Sequence, residues 1–160
     1  VICPAGSVIN YKFVEIPFTS FSGNYTDMNK TVAATSTQGY QVVTTTLTPN
    51  SNNSKIFCQA QFFLQESSNS ADLVIAAMFV DTTNISQCLP NDRADSSFLD
   101  HSVVTLAGEF TNSSTSDKTI QIRAGAHTNH GVDVNGYNQT GSRQTNGYVR
   151  TGLSIFEIKQ

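Results

Sequence analysis

Alternation of apolar and polar residues with a period of two recurs along the chain, whereas helical periodicity is almost absent. The stretch SKIFCQAQFFLQE shows this most clearly. The residues that fall on one side of an extended strand there are Ile56, Cys58, Ala60, Phe62 and Leu64. Phe57 and Phe63 fall on the other side, so that side is expected to be only partly exposed. A half-buried β-strand has this period. The pattern therefore predicts an all-β fold of antiparallel strands.

Further strands follow from the same pattern. DLVIAAMFVD is a continuous apolar run between acidic residues and predicts a strand buried on both faces. DKTIQIRAG predicts a strand with Ile120, Ile122 and Ala124 inward and Arg123 outward. Other strands are expected at SVINYKFVEI, YQVVTTTLT, HSVVTLAGEFT and GYVRTGLSIFEI. TNSSTSD predicts a hairpin, and Asn135-Gly136 in VNGY a tight turn. We therefore expect one domain over residues 1–160, a sandwich or jelly roll of roughly seven or eight strands.

The closing segment, TGLSIFEIKQ, carries apolar residues on both faces of its strand. Leu153 and Ile155 point to one side, and Phe156 and Ile158 point to the other. An exposed apolar edge strand would favour aggregation. We therefore expect an interior strand, with one face in the core and the other against a neighbouring subunit.

Composition excludes some classes of function. Charged residues make up 13% of the chain and the net charge is −3, so a nucleic-acid-binding surface is not expected. No stretch reaches the roughly 18 apolar residues that span a bilayer, so membrane insertion is not expected either. Three cysteines, an odd number, leave at least one without an intramolecular partner, and Cys58 is expected to be a buried thiol.

Metal ligands are sparse. In AHTNHGVD, the imidazoles of His127 and His130, with Asp133 nearby, could converge on a transition-metal ion, but surface histidines beside a turn usually have no such role. The acidic residues of LPNDRADSSFLD are Asp92, Asp95 and Asp100. They lack the spacing of an EF-hand, so a solvated acidic loop is favoured over a calcium site. No cofactor is expected, with a metal at the histidines or calcium as the alternatives.

Catalytic constellations are also missing from the sequence. No two glutamates have a spacing that suggests the carboxylate pair of a glycosidase, and no G-x-S-x-G elbow or phosphate-binding loop occurs. Glu157, within FEIK, is expected to form a salt bridge at a subunit interface instead. The chain is therefore predicted not to be an enzyme.

Recognition of a surface sugar or protein is the remaining chemistry. The segment VDVNGYNQTGSRQTNGY combines aromatic, amide and charged side chains, a mixture that suits stacking on sugars and hydrogen bonds to their hydroxyls. The candidate residues are Asp133, Asn135, Tyr137, Asn138, Arg143 and Tyr148. Because the chain has no Trp, Tyr would be the stacking residue. The alternative is that these are polar loop tips without a ligand.

The order of motifs PAGSVIN, LTPNSNNSKI, VIAAMFVD, KTIQIRAG, VNGY and LSIFEIK resembles the C-terminal domains of tail fibre and tailspike proteins of tailed bacteriophages. The resemblance covers nearly the whole chain, although FSGNYTDMNKTVAATSTQGY and TTNISQCLPNDRADSSFLD match no part of the family pattern. It implies a homotrimeric jelly-roll head similar to C1q and tumour-necrosis-factor heads, with the final strand near the threefold axis. Residues 1–7 would enter from an upstream stalk or domain.

The function that this resemblance implies is trimerisation and binding of a bacterial surface polysaccharide or protein, at the tip of a virion fibre and outside the cell. Residues expected in the core or the trimer interface are Leu153, Ile155, Phe156 and Ile158. Three alternatives remain open. The domain could serve trimerisation alone. It could be a monomeric carbohydrate-binding jelly roll of a secreted glycan-degrading enzyme. It could also be an extracellular ligand of the C1q type, in which case its Asn-x-Ser/Thr sites would be glycosylated.

Overall fold

The computed structural model describes residues 3–22, 27–28, 31–66, 73–91, 102–127, 131–137, 142–143 and 151–160. These ranges contain twelve strands, and within them no helix is long and apolar enough to cross a membrane. Every strand pairing is antiparallel. Two sheets enclose the hydrophobic core in a sandwich-like arrangement. The prediction of an all-β antiparallel fold is therefore confirmed.

The strands divide between two sheets and a small hairpin. The six strands of sheet I are β1 (Val8–Glu15), β2 (Thr19–Phe21), β4 (Ser54–Glu66), β7 (Ser102–Asn112), β9 (Val132–Val134) and β12 (Gly152–Lys159). The four strands of sheet II are β3 (Tyr40–Leu47), β5 (Val74–Val80), β6 (Thr83–Asn91) and β8 (Lys118–Ala126). The hairpin consists of β10 (Gly136–Tyr137) and β11 (Ser142–Arg143).

Strand β4 organises sheet I, whose order is β1–β12–β4–β9–β2 with β7 also paired to β4. Leu64 pairs with Ser102 of β7 and with Val134 of β9, so these two strands lie on opposite sides of β4. Strands β12 and β9 therefore lie end to end on the same side of β4. Strands β1 and β2, which pair with β12 and β9, lie end to end beyond them. Sheet II has the order β3–β8–β5–β6.

The last strand of the chain is an interior strand, as its sequence predicted. Strand β12 pairs with β1 on one side and with β4 on the other over the whole of its length. Its Leu153 and Ile155 are fully buried in the core between the sheets, whereas Phe156 and Ile158 point to the outside of sheet I and are half-buried. The structure therefore places the two faces of this strand as the alternation of its residues predicted.

Strand β5 is buried on both faces, which confirms the interpretation of its continuous apolar run. Alternate residues join the main core, and the residues between them, Ile75, Ala77 and Phe79, form a second cluster with Met28 and Ala34. The second cluster lies on the outer side of sheet II, beneath a segment that we call the cover segment, residues 27–28 and 31–39. The outer side of sheet II is therefore partly covered by its own chain.

Hydrogen bonds attach the cover segment to sheet II. The backbone N–H of Ala34 donates to Oε1 of Gln87 at 2.7 Å, and Nδ2 of Asn84 donates to the Ala34 carbonyl at 3.1 Å. The guanidinium of Arg123, which points outward as predicted, donates to the carbonyls of Gln38 and Gly39. Partial burial there lowers the pKa of Arg123. The segment that matches no part of the phage pattern therefore has a packing role.

Two local predictions were wrong. TNSSTSD does not close a hairpin, because β7 pairs in sheet I and β8 in sheet II, so residues 113–117 cross between the sheets. Strand β6 was not predicted, since its sequence TNISQCLPN is polar and contains a proline. It forms a hairpin with β5 through Asp81 and Thr82, with Asp81 at φ 54°. An Asp-Thr pair is a weaker turn signal than Asn-Gly or Asp-Gly.

Candidate functional site

The outer side of sheet I is apolar along β1, β12, β7 and the part of β4 that pairs with β12, and no segment among the described residues crosses it there. Because residues of β12 alternate between core and exterior, cross-strand neighbours of Phe156 point outward with it. The large apolar side chains on this side, which we call the outer aromatic face, are Val8, Tyr11, Phe13, Phe57, Phe63, Val103, Phe156 and Ile158. Tyr11 and Phe13 are 54% and 45% exposed. This is a concentration of exposed aromatic surface on one side of the molecule.

Ring contacts connect three strands across this face. The ring centroid of Phe156 lies 5.1 Å from that of Tyr11 on β1 and 6.3 Å from that of Phe57 on β4. The ring of Phe13 occupies the space above Gly152, where any Cβ would overlap it. The aromatic side chains are thus packed against each other along the sheet, and Tyr11 and Phe13 remain exposed.

Charge is scarce on this face. Lys55 and Glu109 form an ion pair of 2.8 Å across β4 and β7, and Glu15 lies at the end of β1. Glutamine, serine and threonine occupy most remaining outward positions of β4, β7 and β12. The face is therefore close to neutral, so two copies of it can approach each other without strong repulsion.

Glu157 does not point to this face. It lies on the core side of β12 with Leu153 and Ile155 and is fully buried. Its carboxylate accepts hydrogen bonds from the backbone N–H groups of Asn50 and Ser51 at 2.7 and 2.9 Å, and from the Ser54 hydroxyl at 2.8 Å. The prediction of an intersubunit salt bridge was wrong. Glu157 fixes the loop between β3 and β4.

Asn135 directly follows β9 and has a left-handed conformation with φ 56°. Its Oδ1 accepts from the Phe63 N–H at 3.0 Å, and its Nδ2 donates to the Ile16 carbonyl and to Oγ1 of Thr151 at 2.7 and 2.6 Å. The tight-turn signal of VNGY therefore marks the place where the chain leaves sheet I for the β10–β11 hairpin. These bonds give Asn135 a tethering role, and its contact with a receptor stays a prediction.

The β10–β11 hairpin carries two of the other receptor-binding candidates. Tyr137 pairs with Ser142, and Arg143 pairs with Gly136, so both candidates belong to one small hairpin next to the tether of Asn135. Asn138 and Tyr148 lie outside the described residues, as do the side chains of Tyr137 and Arg143. The structure therefore brings the backbones of Tyr137 and Arg143 together.

Asp133 lies at a different kind of position. It is the middle residue of β9, only 1% exposed, and it is directly opposite Gln65 of β4, which is also 1% exposed. Within the part of the chain that the structure describes, none of the four side-chain oxygen and nitrogen atoms of this pair has a hydrogen-bond partner. The sequence singled out Asp133 but not Gln65, because their pairing depends on the register of β9 against β4.

The predicted histidine site is only partly within the described residues. His127 follows β8, and its Nδ1 lies 3.2 Å from the Met28 carbonyl oxygen, while its backbone N–H donates to Leu73. His130 lies outside the described ranges, as do Asp92, Asp95 and Asp100. Among the described residues, no three His, Cys, Asp or Glu side chains are grouped as metal ligands. A metal at His127 and His130 stays a prediction.

The three cysteines are free thiols. Burial raises the pKa of Cys58, whose side chain is fully enclosed in the core, to about 12. Burial also raises the pKa of Cys88, against the smaller opposing effect of a hydrogen bond with the Thr105 backbone. Both thiols are therefore protonated at neutral pH, so neither is an activated nucleophile.

Comparison with protein-family models found no match for this chain, and comparison with curated proteins found none either.

Proposed function

We propose that the chain is the homotrimeric head domain of a bacteriophage tail fibre or tailspike, and that it binds a bacterial surface polysaccharide or protein without enzymatic activity. The observation that carries this proposal is the outer aromatic face. It lies on the sheet that contains the C-terminal strand as an interior strand, and no described segment covers it. Sheet II, in contrast, has the cover segment on its outer side.

Strand order supports the jelly-roll layout within the sandwich class. The eight long strands form the orders β1–β12–β4–β7 and β3–β8–β5–β6. Consecutive strands thus alternate between the sheets except at the β5–β6 hairpin, as in a double Greek key. In the C1q and tumour-necrosis-factor layout, the last strand lies in the inner sheet near the threefold axis, which is where Phe156 and Ile158 would meet other subunits.

A second copy of the same face is the occupant that fits its chemistry best. Fully burying a large apolar side chain contributes about 1.5–3 kcal/mol, so a cluster containing Tyr11, Phe13 and Phe156 supplies a substantial driving force for assembly. The only ion pair described on this face, Lys55 with Glu109, is satisfied within one chain. Identical copies can therefore associate without bringing unpaired like charges together.

The remaining parts of the proposal concern the receptor and the location. The β10–β11 hairpin carries Tyr137 and Arg143 and is joined to sheet I at Asn135, which gives the receptor-binding candidates a rigid base. We place the domain at the tip of a virion fibre, where it acts outside the cell. No nucleic acid, membrane insertion or cofactor has a part in this function.

The proposal is tested by measuring the absolute mass of the purified domain by size exclusion with light scattering at two concentrations. We expect a concentration-independent mass of three times 17.3 kDa. Phe156→Ser should reduce the trimer fraction, because it replaces an aromatic contact on the axis-lining strand with a polar group. The matched control is Val32→Ser, which changes an exposed apolar side chain of the cover segment and should leave the mass unchanged.

A monomeric wild-type protein would contradict the trimer and would favour the carbohydrate-binding module. An unchanged trimer in Phe156→Ser, with folding verified by circular dichroism, would show that the outer aromatic face is not the interface.

A further inference from the structure

Asp133 and Gln65 form a buried polar pair whose side chains make no hydrogen bond with any described residue. Directly opposed residues in antiparallel strands have Cβ atoms about 4.5–5.5 Å apart, so the two side chains adjoin. They lie on the outer side of sheet I, since their neighbours Leu64, Val132 and Val134 belong to the core. Both carboxylate oxygens of Asp133 and both polar atoms of the Gln65 amide lack a partner among the described ranges.

This arrangement is unfavourable as it stands. Neither of the ion pairs among the described residues involves Asp133. A buried carboxylate without a partner destabilises the folded state strongly, and the great majority of buried polar side chains in native proteins are satisfied. A direct hydrogen bond from the Gln65 amide could serve one carboxylate oxygen and would leave the negative charge uncompensated. A bound cation would compensate this charge and would accept the free oxygen atoms of the pair as ligands.

We propose that Asp133 and Gln65 bind a hard divalent cation, Ca²⁺ or Mg²⁺. The pair offers two carboxylate oxygens and one amide oxygen, which are the ligand types that these cations prefer. Backbone carbonyls and water would complete the coordination shell. Thiolate and imidazole ligands, which favour transition metals, are absent from this pair. The pair shares Asp133 with the histidine site that the sequence suggested, but it offers the Gln65 amide oxygen in place of an imidazole.

The position of the pair gives the cation a structural consequence. Asp133 is two residues before Asn135, the point where the chain leaves sheet I for the β10–β11 hairpin. A bound cation would hold β9 against β4 at the base of that hairpin. Cation binding would therefore stabilise the segment that carries Tyr137 and Arg143. This inference stands on the buried pair alone and does not depend on trimer formation or on a receptor.

The test is thermal unfolding of protein freed of divalent cations with EDTA, in added CaCl₂, MgCl₂ or NaCl at matched ionic strength and fixed protomer concentration. We expect Tm to rise with CaCl₂ or MgCl₂ and not with NaCl. At a free cation concentration of 100 times Kd, the folding equilibrium constant should increase by about 100-fold. The cation that acts at the lower concentration identifies the preferred metal, and isothermal titration calorimetry measures the affinity.

Asp133→Asn keeps the shape of the side chain and removes its charge. It should abolish the cation-dependent rise in Tm. Without divalent cations it should melt at or above the wild-type temperature, because an uncompensated buried charge is gone. Glu109→Gln, which changes an exposed carboxylate of the same sheet, should keep the full cation-dependent rise.

Two results would overturn the proposal. The first is a wild-type Tm that neither cation raises above the NaCl control. The second is a cation-dependent rise that persists in Asp133→Asn. Light scattering on the same samples records the oligomeric state, so loss of cation binding and loss of the trimer are observed separately.

Discussion

At the scale of the residue, Glu157 shows how one charged side chain can be required inside an apolar strand. It is buried among core residues and receives two hydrogen bonds from the loop before β4 and a third from Ser54, the first residue of β4. Hydrogen bonds to a charged acceptor contribute more than those between neutral groups. The loop therefore has its conformation fixed by the C-terminal strand, which links the last residues of the chain to the start of its longest strand.

Substitution of Glu157 tests this role. In Glu157→Gln, one acceptor oxygen becomes an NH₂ group that faces an N–H or O–H donor, so a buried donor loses its partner. We expect a loss of about 2–3 kcal/mol in the free energy of unfolding, measured by urea denaturation at fixed protomer concentration. Glu109→Gln, at an exposed ion pair, should cost about 1 kcal/mol or less. Equal losses in the two variants would contradict the role assigned to Glu157.

At the scale of the element, the cover segment shields the outer side of sheet II from solvent. Residues 31–39 cross the outer side of sheet II and bury Phe79, whereas the corresponding side of sheet I keeps its aromatic residues accessible. The segment requires Gly39, which has φ 62°, and a Cβ there would lie 2.6 Å from Sδ of Met28 and 2.8 Å from the Ala124 carbonyl oxygen. Glycine at this position therefore permits both the turn and the close packing.

Gly39→Ala and Gly6→Ala separate these two requirements. Both glycines have positive φ, but a Cβ at Gly6 would meet no described atom within 4 Å. Each variant should lose about 1–2 kcal/mol through its backbone conformation, and Gly39→Ala should lose at least about 1 kcal/mol more through overpacking. Chemical denaturation measures both losses. Faster limited proteolysis of Gly39→Ala alone would show that the cover segment has been displaced, and equal behaviour would contradict its close packing.

At the scale of the whole molecule, the two sheets differ on their outer sides. Sheet II is partly covered by its own chain, and the outer aromatic face of sheet I is the assembly surface of the proposed trimer. The β10–β11 hairpin follows β9, which lies beyond the end of β12 in sheet I. An interface and a receptor site can therefore occupy different parts of the same domain. Substitutions in one should leave the other intact.

Binding to an array of bacterial surface glycans tests the receptor site separately from assembly. Tyr137→Ala and Arg143→Ala should each weaken glycan binding by tenfold or more if the side chain supplies about 1.4 kcal/mol of binding energy, while the trimer mass stays unchanged. Thr44→Ala, at an exposed position of β3, is the control and should bind as the wild type does. Full binding by both hairpin variants would exclude the hairpin as the receptor site and would leave the domain a role in trimerisation.

The sequence by itself determined which residues form most of the strands and which face each residue occupies. Side-chain direction in an extended strand depends only on local backbone geometry, so alternation correctly placed Ile122, Leu153 and Phe156. The same alternation placed Glu157 with Leu153 and Ile155, a signal that the interface interpretation overlooked. Tyr11 and Phe13 also share one parity, which could have indicated the outer aromatic face.

Only the tertiary structure decided which strands are neighbours. Pairing is a competition among contacts between distant parts of the chain, and no local pattern encodes it. For this reason TNSSTSD, which resembles a hairpin turn, instead connects two sheets. Gln65 likewise lies opposite Asp133 only because of the register of β4 against β9. The buried polar pair and the cover of sheet II therefore exist only in the folded molecule.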